Sequence, residues 1–162
     1  MNIEQQTAFD TLTLKGIALL NALKDTLRLE LIALTARELA EIIELSKRKN
    51  NILIEFSENT FQRSTLLQSL NLASNKENIG VFFSRCENLA AKNKYLANWA
   101  TLEDTLRLTI DANAINEQVL KKSQKNIDTI LSILQGKQAN NILYDAKGDK
   151  GDYAGQSRIG KA

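Results

Sequence analysis

Proline is absent from all 162 residues, and so is histidine. Proline normally makes up about 5% of a chain and is the strongest breaker of helix interiors, so a chain without it favours long uninterrupted helices. Without histidine there is no Ser-His-Asp or Cys-His nucleophile, no His-based metal site and no phosphohistidine relay. An inward-facing Glu-x-x-His di-metal bundle is excluded for the same reason. Cysteine occurs once, at Cys86, which rules out an internal disulfide and fits a reducing compartment. No apolar run approaches the roughly 20 residues of a membrane span. The opening MNIEQQTAFD lacks a basic region followed by an apolar core. A cytosolic protein is expected, with no secretory signal and no stable membrane insertion.

An excess of one charge is missing too. Twenty-one basic residues face 19 acidic ones, a net charge of +2. The densest basic run, Lys47-Arg48-Lys49, reads as a solvated helix face, and no nucleic-acid partner is expected. Acidic residues such as Glu30, Glu41, Glu44, Glu103 and Asp104 are scattered at ordinary surface frequency, and none converges with glycine or aromatic pocket formers. No carboxylate-based catalysis is expected.

What is present is helical periodicity. Phe9, Leu12, Gly16, Leu19, Leu23, Leu27, Leu31 and Leu34 fall at spacings of three and four, one stripe of a helix over about 3–34. Thr35-Ala-Arg-Glu38 then fits a capping box, predicting a break at Leu34–Thr35. A second helix is expected to carry Leu39, Ile42, Ile43, Leu53, Phe56, Thr60, Leu67 and Leu70. Ser74-Asn-Lys-Glu77 fits another capping box, followed by Ile79, Phe82, Phe83, Cys86, Leu89 and Ala90. Cys86 on that stripe reads as a small buried thiol. The run KNKYLAN, residues 92–98, weakens the helix signal and predicts a break or bend, with Asn98 as a cap; one continuous helix is the competing reading. Trp99, Leu102, Leu106, Ile110, Asn113, Glu117, Leu120, Gln124, Ile127, Leu131 and Leu134 then keep a coiled-coil spacing that ends at Gly136, a good helix stop. The fold class expected is all-α: an elongated antiparallel hairpin or bundle of three to four long helices with coiled-coil-like packing and a flexible C-terminal tail.

Asn113, Glu117 and Gln124 stand in the apolar seam of the last helix. One such asparagine is a common register device; three polar positions in succession describe a weakly packed or solvent-facing stretch. Two readings fit: an exposed helix end extending past its neighbours, or a face awaiting a partner helix, with Ile127, Ile130, Leu131 and Leu134 as apolar anchors.

The run IDANAINEQVLKK, with Asn113 and Asn116 three apart and Val119-Leu120 following, resembles the Asn-x-x-Asn-x-x-Leu/Ile signature of the FlgN family. Leu143-Tyr144-Asp-Ala-Lys-Gly148 resembles the Leu/Thr-Tyr-x-x-x-Gly element that follows this helix in the family. The likeness in length, helix order and leucine spacing, including KRKNNILIEF in the second helix, covers nearly the whole chain. One departure is Asn116-Glu117, where the family often has Asn-Gly. The resemblance implies a cytosolic flagellar type III export chaperone, with no cofactor and no catalysed reaction. Its implied cargo is the C-terminal helices of hook-associated, hook–filament junction proteins, kept from premature assembly and presented to the export apparatus. Asn113, Asn116, Glu117, Leu120, Ile127, Ile130, Leu131, Leu134, Leu143 and Tyr144 are the candidate partner-binding residues. A generic coiled-coil adaptor or structural bundle subunit is the alternative.

Four of the seven glycines lie between Gly148 and Gly160. They follow a helix rather than feed one, so they form no phosphate loop. Asp145, Asp149 and Asp152 lack the spacing of a calcium loop. The domain organisation expected is one helical domain over 1–142 and a flexible tail over 143–162, with Leu143-Tyr144 at its base available to cargo or a neighbouring helix.

Overall fold

The computed structural model describes residues 3–73 and 75–134. Within them the fold is all-α, with α1 at Ile3–Ala36, α2 at Leu39–Ser69, α3 at Lys76–Ser84 and α4 at Leu89–Leu134, and no strand. The chain divides into two compact units, 1–120 and 121–162. The first holds α1, α2, α3 and α4 as far as Leu120; of the second, the end of α4 is described. The expected stop at Gly136 and the expected domain boundary at 142/143 lie outside the described residues.

The α1 helix buries Phe9, Gly16, Leu23 and Leu27 of its expected stripe, and with them Thr13, Leu20, Thr26, Glu30 and Ala33. That face is wider than one stripe because two helices pack on it. The chain then reverses by a different device from the expected capping box. The Thr35 hydroxyl donates to the Leu31 carbonyl at 2.8 Å, and Glu38, at the N-cap of α2, makes no side-chain cap. Instead Arg37 enters the left-handed region at φ 61°, and the Glu38 amide donates to the Ala33 carbonyl at 3.0 Å. This closes α1 two residues later than the predicted break, in a Schellman turn. The end of α2 repeats the motif: Asn71 has φ 57°, the Leu72 amide donates to the Leu67 carbonyl, and both leucines join the core.

The α2 helix lies antiparallel to α1, with Lys49 beside Glu30 and Asn59 beside Leu12. Its inward row is Leu45, Ile52, Asn59, Arg63 and Leu67, which shares only Leu67 with the expected stripe; Leu39, Ile43 and Leu53 are 70%, 48% and 45% exposed. Apolar residues occupy more than one side of α2, so periodicity alone admits two stripes. Polar contacts decide between them. The Asn59 amide donates to the Leu12 carbonyl of α1 at 2.9 Å, which turns the 45–52–59 row inward.

Asn75, one residue after the expected cap, begins α3: its side chain accepts from the Asn78 amide at 2.9 Å. Ile79, Phe82, Phe83 and Cys86 are buried as expected, whereas Leu89 is 70% exposed, because α3 ends at Ser84 and α4 begins at Leu89. The break therefore falls at 85–88 rather than at 92–98, and Asn88, not Asn98, caps the next helix by accepting from the Ala91 amide at 3.0 Å. Asn98 lies inside α4 and donates to Asp10 of α1 at 2.7 Å. The Cys86 thiol is buried and donates to Gln6 at 3.1 Å.

The principal core gathers where α3 and the start of α4 meet the hairpin. Phe9, Leu67, Leu72, Ile79, Phe82 and Phe83 form it, flanked by Tyr95 and Trp99. A second cluster, Leu23, Leu27 and Ile52, lies farther along the hairpin. Up to Leu120, α4 runs parallel to α1, since Asp10–Asn98, Leu20–Thr109 and Leu27–Asn116 pair at sequence separations of 88, 89 and 89. Among the described residues no helix is long and apolar enough to cross a membrane.

Candidate partner-binding site

The row of α4 that faces α1 is Leu102, Thr105, Thr109 and Asn116. It shares Leu102 with the expected stripe and from Thr105 onward lies one position around the helix from it. Beyond Leu102, two threonines and an asparagine form this contact, and Leu106, Ile110 and Leu120 of the expected stripe fall at its edge. Leu106, Ile110 and Leu120 are 38%, 59% and 55% exposed, Asn113 is half-buried and Glu117 exposed.

These edge residues form one wall of a groove. Leu20, Leu23 and Leu27 of α1 make its floor, Leu53 and Phe56 of α2 the opposite wall, and Leu106 and Ile110 of α4 the near wall, around a volume of about 210 Å³. Asn113 stands at one end, where the groove passes into a more polar hollow lined by Ile42, Lys49, Glu117 and Leu120. The Asn113 amide donates to Glu117 at 2.9 Å. An incoming apolar side chain would meet leucine, isoleucine and phenylalanine here, and a polar one would meet the Asn113–Glu117 pair.

Asn116 is placed differently. It is 5% exposed, and its amide donates both to the Leu27 carbonyl at 2.9 Å and to Glu30 Oε2 at 2.7 Å. The other Glu30 oxygen receives Lys49 Nζ at 2.6 Å. One polar cluster thus ties α4, α1 and α2 together beneath the groove, with the buried carboxylate satisfied from two sides, as a buried charge requires. Asn116 positions the α4 wall. Asn116→Ala is expected to cost roughly 1–3 kcal/mol in urea unfolding, the penalty for leaving a buried acceptor without its donor. A loss below about 0.5 kcal/mol, the ordinary range of surface substitutions, would contradict this role.

In the second unit, Lys121–Leu134 is helical with nearly every side chain exposed. Ile127, Ile130, Leu131 and Leu134, 55%, 57%, 47% and 77% exposed, fall within about 100° of one another on the helix. Soluble proteins rarely leave such a continuous apolar stripe in water unless it has a function. Gln124 is exposed on the same side, and Leu143 and Tyr144 lie outside the described residues.

The sequence singled out Asn113, Glu117 and Leu120 at the polar end of the groove but not its floor, its α2 wall, or Leu106 and Ile110 as site residues. Leu53 and Phe56 looked like core, and only the inward turn of the Leu45–Ile52–Asn59 row shows that they border an opening. Among the described residues no group of three or more acidic or thiol side chains is placed to hold a metal ion.

No curated protein and no solved structure matches the chain. The family model of the FlgN protein matches residues 3–151, a span that contains all four helices, the groove and the exposed stripe. The chain therefore belongs to the FlgN family, and its general role is that of a flagellar export chaperone.

Proposed function

We propose that this chaperone works in the cytosol, binds the C-terminal helical segments of hook-associated proteins, keeps them from assembling early and delivers them to the type III export apparatus. The observation that carries this reading is the apolar stripe Ile127, Ile130, Leu131 and Leu134, held exposed on a regular helix. A helix that forms coiled coils in its final assembly carries apolar residues at the same three-four spacing, and pairing the two stripes removes both from water. The groove bounded by Leu53, Phe56, Leu106 and Ile110 offers further apolar contact. Asn113 and Glu117 at its end keep the surface polar enough for the bound segment to be released. Leu143 and Tyr144 complete the proposed contact set from the chain beyond α4.

The test is co-expression of the chaperone with each hook-associated protein of the same cell, followed by affinity capture. Retention of at least one of them, lost when its C-terminal helix is deleted, is expected. Capture of none, with the chaperone shown to be folded by circular dichroism, would contradict the proposal.

A further inference from the structure

The groove has a closed end, and a buried cation lies behind it. One helical turn beyond Leu20, Phe56 and Leu106, the three helices meet again at Gly16, Asn59, Arg63 and Leu102. Arg63 is 7% exposed. One of its nitrogens, Nη2, donates to Thr60 Oγ1 at 3.1 Å, but Nε and Nη1 have no partner, and neither does the neighbouring Asn59 Oδ1. None of the ion pairs among the described residues involves Arg63. Its charge rests instead between two rings, Phe56 at 5.8 Å and Trp99 at 5.7 Å. Burial lowers the guanidinium's pKa from its ordinary value, the direction that desolvation of an unpaired cation gives. Gly16 leaves the room: a β-carbon there would stand 2.9 Å from Asn59 Oδ1 and 3.7 Å from Arg63 Nη1.

A buried charge without a counter-charge costs stability, and an apolar residue of similar size would be cheaper. The two rings offset only part of that cost. The position of Phe56 links the two features, because the ring that lines the groove also covers the guanidinium. From this the geometry points to a charge-reading end of the groove: Arg63 pairs with an Asp or Glu side chain on the amphipathic helix that occupies the groove, reached when the half-buried Phe56 ring turns aside. The groove walls select apolar side chains and the guanidinium selects one carboxylate at one end. Together they fix the register and direction of the bound helix, which apolar contacts alone do not.

This inference rests on the proposed cargo-binding role, and one experiment separates the two. Synthetic peptides of the C-terminal helical segments of the hook-associated proteins are titrated calorimetrically into the full chain. Each peptide Asp and Glu is replaced in turn by Asn or Gln. One such replacement is expected to weaken binding to the wild type roughly tenfold to hundredfold and to change binding to Arg63→Met by less than about twofold. If Arg63→Met does not fold, Arg63→Lys carries the comparison, since a single ammonium lacks the guanidinium fork and the same replacement must lose part of its effect. Equal effects on wild type and variant at every position would overturn the carboxylate partner while leaving the cargo role intact. Sensitivity only to amidation of the peptide's C-terminus would also overturn it, by assigning the terminal carboxylate instead. Failure of every peptide to bind the folded wild type would overturn both.

Discussion

Phe9→Ala is expected to lower the stability of the first unit by roughly 3–5 kcal/mol. Phe9 is 1% exposed and belongs to α1, yet its ring meets Phe82 at 4.7 Å, Phe83 at 6.0 Å and Trp99 at 5.7 Å. Those partners come from α3 and α4, and Leu67 and Leu72 from the end of α2 close the same cluster. The side chain is therefore one point at which all four helices meet. Truncating it forfeits the transfer free energy of the ring and leaves a cavity that the rigid helix ends cannot close. Domains of this size are stable by about 5–15 kcal/mol, so the loss would consume a large share of the total. Urea unfolding followed at 222 nm measures it. A loss below about 1.5 kcal/mol would mean that α3 and the start of α4 hold to the hairpin by other contacts.

The second large effect is on binding and should leave stability alone. Ile127→Gln with Leu131→Gln removes two apolar side chains that are 55% and 47% exposed and replaces them with residues of good helix propensity. Unfolding free energy is expected to change by less than about 0.5 kcal/mol. Burial of each aliphatic side chain against a partner contributes roughly 1.5–3 kcal/mol, so cargo affinity is expected to fall by more than about a hundredfold. Calorimetric titration of the double variant with a hook-associated protein checks it. Unchanged affinity would remove the stripe from the contact set.

How far the fold can be read without coordinates depends on the kind of interaction that decides each element. Helix content and the first helix were legible because periodicity and the lack of proline act locally. The inward face of α2 was not, because it turns on the Asn59 amide reaching the Leu12 carbonyl, a contact between residues far apart in sequence. The first reversal was misplaced for a related reason. Thr35-x-x-Glu38 has the chemistry of a helix start, but the Thr35 hydroxyl is taken by the preceding turn of α1, and Arg37, a residue with no special preference for the left-handed region, makes the turn. At the candidate site, the unusual polarity of Asn113 and Glu117 was visible in the seam pattern, while Asn116 was marked only by the family resemblance. Their division of labour was not visible. A rotation of one position around α4 puts Asn116 inside, against Leu27 and Glu30, and leaves Asn113 and Glu117 lining the opening. Arg63 gave no signal at all, since a lone arginine in a polar helix is ordinarily a surface residue.

The central proposal is that the exposed apolar stripe Ile127, Ile130, Leu131 and Leu134 at the end of α4 receives a cargo helix. Amide hydrogen exchange of the full chain, with and without a bound C-terminal segment of a hook-associated protein, tests it most directly. Slowed exchange over residues 121–134 is expected. Protection confined to 3–15 and 76–88 with the peptide demonstrably bound would contradict the claim.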